Sequence, residues 1–358
     1  MKSTRRKKLP IEIQSDVTTF LHFNFPLCTL LWNKNIYPWM NEHFIQLYTM
    51  MHNTGVCWVD MLEKDYFYED VSDIIDMSSE HMKDVSDIVK FVIDNINNNY
   101  YSTIYTNEYY LPGRAAYHKY THIHQTLLYG YDLDKEVFFG LGYDGRQRFV
   151  EAEYPFEIFR EAYEKGKAEY DNDFCWVKMH TAYLNRVFDL KEPYQARIEI
   201  FLKKLNEYIY AIPDESLLRK DVVIEMGKNA KYGMQVYESI LDNLKKLLKG
   251  EFKHDYRTFH LLAEHKRGML KKIEYFMSKN GLEQNIGIYL KEYQNIVKGF
   301  ENARLIYLRA ELVDNNYETI IGQLKNKEAI QKVYDIVNFN SDKEYQILCN
   351  IYKCFASI

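Results

Sequence analysis

His118-Lys-Tyr-Thr-His122-Ile-His124-Gln-Thr-Leu-Leu-Tyr-Gly-Tyr-Asp132 is the stretch on which the fold of this chain turns. From His124 onward the residues alternate, so His124, Thr126, Leu128 and Gly130 share one face of a strand. Val137-Phe-Phe-Gly-Leu-Gly-Tyr143 reads as a second strand folding back after a turn at residues 132–135. Pairing Tyr131 with Glu136 sets His124 opposite Tyr143, with Gly142 and Asp144 on either side. Gly140 and Gly142 allow a one-residue bulge that would bring Asp144 beside the imidazole. A histidine with a neighbouring carboxylate is the pair that base catalysis needs, because the carboxylate orients the ring and stabilises the imidazolium.

The remainder of the chain bounds what such a site could serve. Its 358 residues suffice for two ordinary domains. With 46 Lys and Arg against 51 Asp and Glu, the net charge of -5 gives no reason to expect a nucleic-acid partner. The one basic cluster, Lys2 to Lys8, lacks a following apolar run and reads as a frayed, solvated terminus rather than a signal peptide. No run of 18 apolar residues marks a membrane span. Five scattered cysteines form no Cys-x-x-Cys pair, which argues against a structural zinc or a disulfide framework and fits a reducing cytoplasm. The 32 tyrosines and 20 phenylalanines suit aromatic-lined pockets.

Two patterns divide the sequence. In residues 1–155, short β-rich runs at 55–61, 101–106, 109–112, 124–131 and 137–143 alternate with helical segments at 39–51 and 82–97. Residues 156–358 carry apolar positions at three- and four-residue spacing almost throughout, and strands are expected to be essentially absent after residue 170. The pattern switches near Tyr154-Pro155. The fold class expected is α+β: a mixed N-terminal domain followed by an α-helical bundle.

His124-x5-Gly130-Tyr-Asp132, then an aromatic strand, then Tyr154-Pro-Phe-Glu-Ile-Phe-Arg-Glu-Ala-Tyr163, resembles the papain-fold proteins of nonribosomal biosynthetic gene clusters. That family includes the butirosin-type acyltransferase and the closthioamide-type amide-forming protein, with the double-glycine peptidases as distant relatives. The motif-level likeness covers about residues 105–165; beyond residue 190 it is architectural. It implies a papain-like N-terminal domain, a helical C-terminal region and no cofactor. It also implies cytoplasmic acyl or peptidyl transfer from a carrier-protein thioester to a small amine, through a cysteine thioester.

On that resemblance Cys28 is the candidate nucleophile and His124 the general base and acid. Asp144 would orient the ring, while Asn24, backbone N–H groups and Tyr143 would lie at the oxyanion and substrate. Pro26, just before the thiol, could start a helix. The chain departs from the family in three places. His22 stands six residues before Cys28, where a glutamine is usual; the strand-two acid falls near Gly142; and Pro38 allows barely two helical turns after the thiol. These departures favour the alternative of an inactive scaffold binding a carrier protein or peptidyl intermediate; a thioesterase or peptidase is a third option that differs from the transferase only in the acceptor.

Cys57, Cys175, Cys349 and Cys354 read as core residues. His122 and His124 form a His-x-His pair, but no cysteine or carboxylate completes a set at zinc-ligand spacing, so no metal is expected. His260 and His265 read as members of a packing network. The glycine-rich turn at 140–145 follows a hairpin strand and opens no helix, which excludes a dinucleotide fingerprint.

Overall fold

A computed structural model describes residues 5–51, 56–63, 74–170, 178–214, 230–251, 254–315, 321–322 and 326–357. In chain order the elements begin β1 (Arg6–Lys8), α1 (Leu21–Leu30), β2 (Leu47–Met51), β3 (Cys57–Met61), β4 (Ile75–His81) and α2 (Ile88–Asn97). They continue with β5 (Tyr101–Asn107), β6 (Ile123–Asp132), β7 (Val137–Tyr143), β8 (Phe149–Pro155), α3 (Phe156–Glu169), β9 (Thr181–Val187) and α4 (Ile198–Ile209). Last come β10 (Lys231–Tyr232), α5 (Val236–Lys249), β11 (His254–Asp255), α6 (Arg257–Lys279), α7 (Glu283–Asn315), β12 (Ile321–Gly322) and α8 (Lys327–Ala356). No helix among the described residues is long and apolar enough to cross a membrane.

The chain forms two compact units, and the expected division at residue 155 is not the one observed. The first unit comprises Met1–Ser15, Phe20–Ile36 and Asp65–Pro193; the second comprises Asp16–Thr19, Tyr37–Lys64 and Tyr194–Ile358.

The first unit is built on an antiparallel sheet in the order β4-β9-β5-β6-β7-β8, with β1 pairing the far end of β6. Helix α2 starts because Asp87 accepts from the Val89 and Lys90 N–H groups, satisfying donors that a helix start leaves open. Its Ile88, Val89, Val92 and Ile96 are buried against β5 and β6. Tyr131, Phe138, Tyr154, Phe159 and Tyr163 complete a core of fully buried rings. Burying each such side chain is worth roughly 1.5–3 kcal/mol.

The sequence expectations are corrected at several points. Within the basic terminus, Arg6–Lys8 is not frayed but pairs with residues 130–132 of β6, while Lys2 lies outside the described residues. Residues 39–51 are a 3-10 helix (Lys34–Glu42) followed by β2, not a helix throughout. Residues 109–112 are not a strand either, because the Asn107 side chain accepts from Tyr109 N–H and starts a 3-10 turn at Glu108–Tyr110. Strand β9 lies beyond residue 170 and belongs to the first sheet, and β10, β11 and β12 are two-residue strands within the otherwise helical region. The hairpin register differs too: Asp132 pairs with Val137, Tyr131 with Phe138, and the bulge falls between Leu128 and Gly130 rather than at Gly140 or Gly142. Asp132 accepts from the Asp134 and Lys135 N–H groups, which moves the turn to residues 133–136.

In the second unit, β2, β3 and β10 form a small sheet, and α4 to α8 form the expected helical bundle. A polar cluster lies within that bundle. Glu344 Oε1 accepts from Lys266 Nζ at 2.8 Å, Tyr293 at 3.0 Å and Tyr208 at 3.3 Å, while Oε2 accepts from Tyr237 at 2.6 Å. Lys266 and Glu344 are both fully buried. His265 bonds the Ile45 carbonyl, and His260 meets Glu264, Thr18 and Arg304, so both histidines belong to packing networks.

Candidate functional site

Strand pairing assembles a histidine–carboxylate site in the first unit. Thr106 of β5 lies opposite His124 of β6, and the pairing extends one step further through a bond from Glu108 N–H to the His122 carbonyl at 2.8 Å. Residues opposite each other in an antiparallel pair project to the same side, so Glu108, His122 and His124 share a face. His124 Nδ1 sits 3.2 Å from Glu108 Oε1; the carboxylate is buried and the imidazole is 35% exposed.

Arg114 completes the group. Its Nε lies 3.7 Å from Glu108 Oε1, its Nη1 donates to the Tyr143 carbonyl at 2.8 Å, and its Nη2 donates to the Tyr154 hydroxyl at 2.6 Å. The guanidinium crosses β7 where Gly142 has no side chain. A Cβ there would fall 1.9 Å from Nη1, so only glycine lets Arg114 lie in this place. The residue at the expected acid position is thus a glycine because an arginine occupies the space.

Burial pushes the Glu108 carboxyl up, but His124, Arg114 and His122 outweigh it and hold the group below the ordinary carboxylate range. Burial and the neighbouring His124 lower His122, against the pull of Glu108. An ionised Glu108 can only accept, so Nδ1 of a neutral His124 carries the proton. Nε2 is left with its lone pair on a partly exposed ring. That is the arrangement of a general base with its orienting acid.

Of the expected site residues, His124 lies in this group, and Cys28, Asp144 and Asn24 make their hydrogen bonds to other partners. Cys28 lies in the second half of α1, fully buried, and its thiol donates to Asn24 Oδ1 at 3.3 Å. Burial pushes that thiol up to about 12. Pro26 is inside α1 and does not start it; the first turn holds Leu21, His22, Phe23 and Asn24, without a thiol. The positive end of the helix dipole therefore lies away from Cys28. No hydrogen bond joins Cys28 to His124 among the described residues.

Asp144 caps the β7–β8 turn instead of meeting His124. It accepts from Arg146 N–H at 2.8 Å, Arg148 N–H at 2.9 Å and Arg148 Nε at 2.8 Å, and the Arg148 bonds lower its carboxyl to about 2. Asn24 is fully buried and accepts from Gln14 at 2.6 Å, while its Nδ2 has no hydrogen-bond partner among the described residues. Tyr143 contributes its carbonyl to Arg114 and sets its ring edge-on to Phe149. Cys57 is buried and its thiol is likewise pushed up to about 12 by burial; Cys175 lies outside the described residues.

The orienting acid missing from the sequence reading is Glu108, sixteen residues before His124 and across the β5–β6 pair. It also overturns the expectation that no carboxylate completes the His-x-His pair. One ligand atom each from Glu108, His122 and His124 lie within 4.8 Å of one another. No protein-family model matches the chain, and no curated protein matches it.

Proposed function

We propose that the first unit catalyses acyl transfer from a carrier-bound thioester to an amine, with His124 as general base and Glu108 as its orienting acid. The contact of His124 Nδ1 with the buried Glu108 carboxylate at 3.2 Å carries this reading. The amine nitrogen attacks the thioester carbonyl while His124 Nε2 takes its proton. As the carbon–sulfur bond breaks, the imidazolium returns that proton to the departing thiolate. The sealed thiol of Cys28 favours direct attack over a covalent enzyme intermediate. The resemblance to papain-fold acyltransferases supplies the substrate class.

A second reading is favoured by the absence of a thiol from the first turn of α1: a scaffold that binds the same intermediate without reacting. Incubating the protein with an acyl-pantetheine thioester and a primary amine, followed by mass analysis, separates the two. Amide product that depends on His124 and Glu108, lost in His124→Gln and reduced about 10²–10⁴-fold in Glu108→Gln, supports catalysis. Cys28→Ala should retain turnover. An acyl adduct on Cys28 with loss of product in Cys28→Ala would restore the covalent route. No product from the intact chain would leave the scaffold.

A further inference from the structure

We propose that Glu108, His122 and His124 bind a divalent transition cation of the zinc class, and that its binding switches off the base. This deepens the reading of His124 as a general base and rests on it for the switching consequence only. Two imidazoles with one carboxylate is a donor set suited to zinc, cobalt or nickel and poorly suited to magnesium or calcium, which prefer all-oxygen shells.

The fold presents these three donors together before any ion arrives. The backbone bond from Glu108 to His122 and the pairing of Thr106 with His124 fix all three on one face. The two imidazole centroids are 5.0 Å apart with planes inclined at 40°, and the three ligand atoms lie within 4.8 Å of one another. Donors bound tetrahedrally at 2.0–2.1 Å stand roughly 3.3 Å apart. Closing the remaining ~1.5 Å needs side-chain rotation without backbone movement. Three protein ligands leave a fourth position open on the side where His124 is exposed. Arg114 Nε lies 3.7 Å from Glu108 Oε1, the oxygen that also faces His124, and its charge tempers cation affinity.

The switch follows from which nitrogen faces Glu108. A cation between Glu108 and His124 takes Nδ1 in place of its proton. The ring proton then resides on Nε2, and the lone pair that accepts the amine proton is gone.

Cobalt(II) and zinc titrations of the full chain, stripped beforehand with a chelator, test the site. One equivalent should bind, cobalt should show the intense visible bands of a low-symmetry four-coordinate site, and affinity should fall at least about tenfold in His122→Ala and in Glu108→Gln. His118→Ala, whose ring stacks on Tyr109 and Tyr117 instead, should bind as the parent does. Circular dichroism confirms that the variants are folded. No stoichiometric binding by the parent, or undiminished binding by both ligand variants, would overturn the site. Zinc should suppress transfer by the metal-free parent; transfer that persists with the site filled would overturn the switch. A parent that binds cobalt but never forms amide would instead remove the general-base reading, and the cation site would stand on its titration.

Discussion

Glu108 and Glu344 are both buried carboxylates held by basic and hydroxyl or imidazole partners, yet their surroundings end differently. Glu344 receives four donors from three tyrosines and Lys266, all enclosed within the helical bundle. Glu108 receives an imidazole that keeps one edge open and an arginine that approaches without a hydrogen bond. Saturation makes the first cluster a fixed part of the fold. The second has bonding capacity to spare, and that spare capacity is what a proton acceptor or a metal ligand must have. Desolvation alone does not single out a candidate site; a desolvated group with one unsatisfied, reachable partner is the better candidate.

The largest effect that could break this contrast is expected in the bundle. Lys266→Met strands the Glu344 charge and should cost about 3–5 kcal/mol in urea unfolding, whereas the paired change Lys266→Met with Glu344→Leu should recover most of that loss. A single variant costing under ~1 kcal/mol would show that the cluster is looser than its geometry.

Lys272 sharpens the contrast from within the same helix. It is 4% exposed and has no hydrogen bond or ion pair among the described residues, and burial, opposed by Asp16 and Glu63, holds its amine down to about 8. An unfolded lysine titrates near 10.4, so between about pH 8 and 10.4 the unfolded chain binds more protons and stability rises with pH. Below pH 8 the full penalty applies. Lys272→Met should therefore stabilise the protein by on the order of 3 kcal/mol at pH 7 and hardly at all above pH 10.5, as followed by unfolding at the two pH values. A gain independent of pH would point to better packing rather than to relief of charge burial.

The smallest effect concerns Arg114. Gly142→Ala places a methyl where the guanidinium lies and should cost about 1–3 kcal/mol together with a loss of transfer. Gly145→Ala, where a methyl meets nothing nearer than 3.6 Å, should change stability by less than ~0.5 kcal/mol. Equal effects at both glycines would mean that Arg114 has another place to go.

The alternation from His124 and the three- and four-residue spacing after residue 190 were legible because both are local periodicities, and β6, β7 and the bundle follow them. The register was not, since it depends on the Asp132 side chain capping the turn and on a bulge opposite β7. Strand β4 was hidden by its polar residues, Asp76, Ser78, Ser79 and Glu80, and β9 by its position amid helical sequence. His124 was found from its place at the start of a hairpin strand. Glu108 and Arg114 were missed because nothing near them in the chain announces their placement; pairing across β5 and β6, and the vacancy at Gly142, bring them to the histidine. The helix start was misread at Pro26, because a proline just before a cysteine looks like the opening of a helix, whereas α1 begins five residues earlier, at Leu21.

The interleaving of the two units along the chain has a consequence for the protein's birth on the ribosome. The β2–β3 hairpin is synthesised early, but its third strand, which pairs Lys231 with Thr49, emerges about 180 residues later. At about 5–20 residues per second that is a wait of roughly 10–40 s. Throughout it Leu47, Met50 and Val59 lack the helices that bury them, and the hairpin edge has no neighbour. The first unit closes its sheet when β9 is made, before that wait is over. Expression at lower temperature, or with chaperones that shield exposed strands, should therefore raise the soluble yield chiefly by protecting residues 47–61 during that interval.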